Sequence, residues 1–155
     1  MRDQAGGRIL QVSSEGGQIA YPNFSLYHAT KWGIEGFVEA DAQEVAPFGI
    51  QFTLVEPGPA KTNFGVGLVT PPAMAVYEQT PFGEMRRMLM SGTFRVMGDP
   101  IKIAEAIINS VGCSPAPARL TLGRDAYTKV RATLTCRIRV LDAQKAVAFS
   151  TETDD

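Results

Sequence analysis

A chain of 155 residues with 45% apolar and 20% charged side chains has the composition of one soluble globular domain, 1–155, able to bury a sizeable core. A formal charge of −1 offers no global field to nucleic acid or an anionic membrane, and the locally basic stretch from Arg119 to Lys145 reads as a solvated helix face. Cys113 and Cys136 make no CxxC pair and His28 is the only histidine, which argues against a metal site or a disulfide framework; with no leader-like start and no run of spanning length, a cytoplasmic protein with reduced thiols is expected.

In chain order, "RILQVS", Arg8 to Ser13, is a short β-branched and apolar run introduced by two glycines and predicts a buried strand. The loop "SEGGQIAYPN" follows, and Asn23 or Ser25 is expected to cap a helix that runs to about Ala46, where Pro47 and Gly49 end it. Leu26, Ala29, Gly33, Phe37 and Ala40 recur at helical spacing and predict its buried face. "IQFTLVEPG", residues 50 to 58, reads as a second strand, and the helical crossover makes the two strands parallel. Residues 59–98 form a long excursion that holds five of the six methionines together with Phe64, Phe82 and Phe94, and such an insertion is expected to act as a lid. Its Met and Phe side chains either line an apolar pocket or pack lid helices on the core. "DPIKIAEAIINSV" begins a helix at Asp99, "ARLTLG" is a third strand, and one amphipathic helix is expected from Ala126 to about Val147.

Tyr27 and Lys31 stand four apart on the first helix, so both leave the same face and can meet at one substrate. A free tyrosine titrates near pH ~10, but a nearby ammonium stabilises the phenolate, so such a pair can serve as a tuned proton donor or acceptor. Ser14, thirteen residues before Tyr27, lies just past the carboxyl end of the first strand, where an open parallel sheet places ligand contacts. The pair alone is a frequent coincidence on solvated helices, and "PGP" after a strand is by itself only a turn. His28, between the two, points away from Tyr27 and reads as a structural or partly exposed histidine.

Taken together, "GGRILQVSS", "YHATK" and "PGPAKT", in this order and at these intervals, resemble the C-terminal half of the short-chain dehydrogenase/reductase family. The resemblance implies an α/β, partial Rossmann-like doubly wound fold with about three parallel strands and flanking helices. It implies an oxidoreductase that interconverts an alcohol and a ketone or aldehyde with NAD or NADP. Tyr27 would be the general acid/base, Lys31 would tune it and hold the nicotinamide ribose, and Ser14 would hold the substrate oxygen. The Pro57-Gly58 turn would let the backbone approach the cofactor, with Ala60 at the carboxamide and Thr62 near the phosphates or carboxamide. A sugar epimerase or dehydratase also uses a Tyr-Lys pair, but the short interval from Ser14 to Tyr27 resembles the reductases more closely.

The family's glycine-rich phosphate loop has no counterpart in its expected place; "GVGLVT", Gly65 to Thr70, lies in the lid and is a coincidental look-alike. The family's Asn-Ala-Gly segment and its cofactor-selecting residue have no counterpart either. The resemblance therefore leads us to expect a truncated form, binding the dinucleotide weakly and turning over little alone, with one edge of the first strand unpaired. The alternative is a non-catalytic interaction subunit or relic fragment that pairs with a longer homologue; a homo-oligomer fits either reading, and a nucleic-acid binder is a distant third.

Overall fold

A computed structural model describes residues 1–153. Three strands, β1 (Gly7–Val12), β2 (Ile50–Pro57) and β3 (Arg119–Leu122), form one parallel sheet in the order β1-β2-β3. The α/β architecture expected from the sequence is thus observed. β1 runs in register with β2 from Gly7↔Ile50 to Val12↔Val55, and β2 with β3 from Leu54↔Arg119 to Pro57↔Leu122. β2 reads as a near-continuous apolar run because it is the central strand: Thr53, Leu54, Val55 and Glu56 are all buried. β1 stands at the edge of the sheet.

Helix α1 (Ser25–Val45) makes the crossover between β1 and β2. Its buried residues are His28, Glu35 and Val38, and the face predicted to be buried points outward instead, with Leu26 83% and Phe37 62% exposed and Ala29, Gly33 and Ala40 exposed too. The reason is electrostatic: polar side chains occupy the inner face because each finds partners there, which hydropathy periodicity cannot register. The expected cap also differs. Phe24 occupies the N-cap position with no side-chain hydrogen bond, Asn23 turns the chain at φ 70°, and Ser25 is already helical.

The excursion carries α2 (Pro81–Met90), and α3 (Pro100–Ser110) follows, its first turn capped as expected by Asp99, whose Oδ1 accepts from the Ile101 amide at 2.9 Å and the Lys102 amide at 3.3 Å. Arg8 on β1 closes the other end of α3, donating to the carbonyls of Ser110, Val111 and Cys113 at 2.6–2.9 Å. The expected single last helix is two, α4 (Arg124–Ala143) and α5 (Lys145–Phe149), separated at Gln144. Only Ala126 and Val130 of α4 are buried. No helix among the described residues is long and apolar enough to cross a membrane.

Candidate active site

The carboxyl ends of β1 and β2 open side by side because the strands are parallel and in register, and the site grows from these ends. After β1 the chain tightens into a 3₁₀ turn, Glu15–Gly17, capped by Ser14, whose Oγ accepts from the Gly16 amide at 3.0 Å. Ser13 donates to Glu35 Oε1 at 2.6 Å, joining the strand end to α1. Gly17 has to be glycine, since a Cβ there would lie 1.8 Å from Glu35 Oε1.

Beneath this turn Glu35 and Glu56 are buried around one guanidinium. Arg119 Nη1 donates to Glu35 Oε2 at 2.7 Å and to Glu56 Oε1, while Nη2 reaches the exposed Glu39. Gln18 Nε2 donates to both buried carboxylates at 3.1 Å, and Thr121 donates to Glu56 Oε2 at 2.9 Å. Burial alone would lower the Arg119 guanidinium's pKa; the three carboxylates outweigh that and push it up.

His28 staples the turn to α1. Its Nδ1 lies 2.8 Å from the Gly16 carbonyl and its Nε2 accepts from the Tyr21 amide at 2.8 Å, which fixes the neutral tautomer with the proton on Nδ1. Of the two readings the sequence left open, structural or partly exposed, His28 is the structural one, and it is buried. Two tyrosines then face the same space with opposite commitments. The Tyr21 hydroxyl donates to Glu15 Oε1 at 2.6 Å, with Lys129 Nζ 3.3 Å from its oxygen. Burial first, then Glu15, push its pKa well up. The Tyr27 hydroxyl makes no hydrogen bond among the described residues and is not sealed in the interior. Its ring packs edge-on against Phe24, His28 and Phe64, and Lys31 Nζ stands 5.8 Å from its centroid while donating to the Val12 carbonyl at 3.3 Å.

At the end of β2 the Gly58 amide donates to the Leu122 carbonyl at 2.9 Å. A Cβ on Gly58 would meet Ala126 Cβ at 3.1 Å and Glu15 Oε2 at 3.3 Å, so close packing on α4 also demands glycine here. The excursion is pinned at its base, Gly98 donating to the Pro59 carbonyl at 3.0 Å and Lys61 to that of Gly98 at 2.9 Å. The Ala60 amide is left without an acceptor among the described residues. Thr62 Oγ1 accepts from the Phe64 amide at 3.3 Å.

These pieces enclose a cavity of about 640 Å³, and Ser14, Tyr27, Lys31, Pro57, Gly58, Ala60 and Thr62, the seven residues singled out from the sequence, all line it. Phe64 and Phe94 line it too, whereas Phe82 packs on Tyr77 with ring centroids 5.3 Å apart and no methionine is among the lining residues. The sequence reading missed Glu15, Tyr21 and Phe24, which sit in the loop between strand and helix. Their signal was proximity to Ser14 rather than any motif. Gly65 and Leu68 of "GVGLVT" touch the cavity, but no helix opens after them.

The family model for short chain dehydrogenase matches residues 1–71. Over 126 residues the chain is 36% identical to oxidoreductase BOA17 of Botryotinia fuckeliana, covering 81% of this chain and 46% of that one. A short-chain dehydrogenase crystal structure from Streptomyces avermitilis superposes with a TM-score of 0.84 at 32% identity, over 98% of this chain and 55% of that one.

The chain belongs to the short-chain dehydrogenase family.

It spans about half the length of these two relatives. A more distant family structure, from Burkholderia cenocepacia in complex with NADP, shares the fold with a TM-score of 0.60 at 19% identity, over 90% of this chain and 47% of that one.

Proposed function

We propose that the protein interconverts an alcohol and a ketone or aldehyde with NAD or NADP, and that Ser14, Tyr27 and Lys31 carry the proton chemistry. One observation bears most of the weight: of the two tyrosines on the cavity, Tyr21 is tied to Glu15, while Tyr27 keeps its hydroxyl free beside an ammonium. The residues present fit the nicotinamide end of the cofactor. The unused Ala60 amide suits a carboxamide oxygen, and Lys31 suits a ribose hydroxyl. When bound, the nicotinamide supplies or takes up the hydride. Ser14 Oγ, held by the Gly16 amide, offers its own proton to the substrate oxygen, and Tyr27 gives that oxygen a proton on reduction or removes one on oxidation. Lys31 stabilises the phenolate that remains.

A second reading, an interaction subunit or homo-oligomer, draws on the outward apolar face of α1 with Leu26 and Phe37. The exposed thiols of Cys113 and Cys136 suit a reducing, cytoplasmic setting. The test is ketone reduction by NADH and NADPH, combined with binding of nicotinamide mononucleotide followed by saturation-transfer NMR. Tyr27→Phe is expected to lower turnover ~10²-fold or more with an unchanged urea midpoint, and Lys31→Ala to weaken nucleotide binding about tenfold. Turnover that survives Tyr27→Phe undiminished refutes the assignment.

A further inference from the structure

We infer that the substrate is a neutral, largely hydrocarbon ketone or secondary alcohol, held by apolar contact rather than by charge. This rests on the alcohol–carbonyl reading above and adds the chemical class. Beyond Tyr27 the cavity wall changes character at once. The Phe64 ring meets the Tyr27 ring edge-on at 5.7 Å, and the wall continues through Leu89, Phe94 and Val96 of the excursion to Ile103 and Ile107 of α3. All but Phe64 are half-buried, their apolar surface turned to the cavity, whereas Val66, Val69, Met90 and Met97 of the same excursion point to solvent. The excursion thus sorts its apolar side chains, and those facing inward are branched or aromatic and rigid.

Charge is absent where a carboxylate or phosphate would need it. No arginine lines the cavity; its ammonium groups are Lys31, beside Tyr27, and Lys61, on the turn after β2. Glu15, the one acidic residue on the wall among the described residues, is 3% exposed and would repel an anion. An anionic group set against these six hydrocarbon side chains would lose its hydration with no cation among them, while an alkyl group of the same shape gains from the same surroundings.

The experiment compares 4-isopropylcyclohexanone with 4-oxocyclohexanecarboxylate, near-isosteres that differ in charge, by saturation-transfer NMR and, in parallel, by nucleotide oxidation. The isopropyl ketone is expected to bind about ten- to fiftyfold tighter. Leu89→Arg, or Ile107→Arg should the first fail to fold, is expected to erase or invert that preference. Equal or better binding of the carboxylate, or no binding of either ketone, overturns the substrate class. If the isopropyl ketone binds with the expected preference but is not reduced, the substrate class stands and the oxidoreductase reading fails. If both ketones are reduced without preference, the reverse holds.

Discussion

Replacing Arg119 with methionine would test whether the ion cluster beneath the site holds the fold together. The substitution keeps much of the side-chain volume but removes the cation facing Glu35 and Glu56, whose side chains are 5% and 1% exposed. Removing one partner of a buried ion pair costs roughly 3–5 kcal/mol. Arg119 itself is 32% exposed, so water can reach the vacated space, and Ser13, Gln18 and Thr121 remain as neutral donors. Both facts favour the lower end, about 3 kcal/mol. Glu39, 60% exposed, adds no more than ~1 kcal/mol. In a chain of this size the loss lowers Tm by roughly 6–12 °C. Urea unfolding followed by circular dichroism would measure it, with the slope m unchanged. A loss below about 1 kcal/mol would mean that the carboxylates do not depend on Arg119, and the argument would fall. Glu39→Gln is the control and should sit within ~1 kcal/mol of wild type.

Gly17→Ala attacks the same cluster from the other side, because its Cβ would overlap Glu35 Oε1; a drop of about 1–3 kcal/mol in urea unfolding is expected. His28→Leu strands the Gly16 carbonyl and the Tyr21 amide in the interior and should cost about 2–4 kcal/mol, with Ser14 displaced and amide exchange accelerated at Gly16 and Tyr21. For Tyr21 the sign of the pH effect follows from its raised pKa: the unfolded chain releases this proton from about pH 10 while the folded chain keeps it. Its contribution to stability is therefore full below that pH and is lost as pH rises toward the folded value. Tyr21→Phe should flatten the alkaline fall in urea midpoints; an unchanged fall would assign it to other groups.

The strands and α3 were legible because their signals are local. β2 announced itself as an apolar run between two turns, and Asp99-Pro100 is a cap that works through its nearest neighbours. The inner face of α1 was not legible. Glu35 is buried because Ser13, Gln18 and Arg119 converge on it, and these lie 22, 17 and 84 residues away. The site divides the same way. Ser14, Tyr27 and Lys31 were picked out by the resemblance of their stretches to a family, which spacing alone would not have decided, but the commitment of Tyr21 to Glu15, which leaves the Tyr27 hydroxyl without a partner among the described residues, emerges only once the loop is folded.

The ion cluster also bears on the lifetime of the folded state. Arg119 joins carboxylates that are 84, 80 and 63 residues away along the chain, so none of its bonds can form until β3 has docked beside β2 and α1. Contacts that close such long loops and require all three pieces in place belong to the last stage of assembly. Interactions absent from the transition state act on the rate of opening rather than the rate of closing. Arg119 is thus a latch: its loss should leave refolding nearly as fast as before and shorten the interval between spontaneous openings, and with it the time for which Ser14 and Tyr27 stay together.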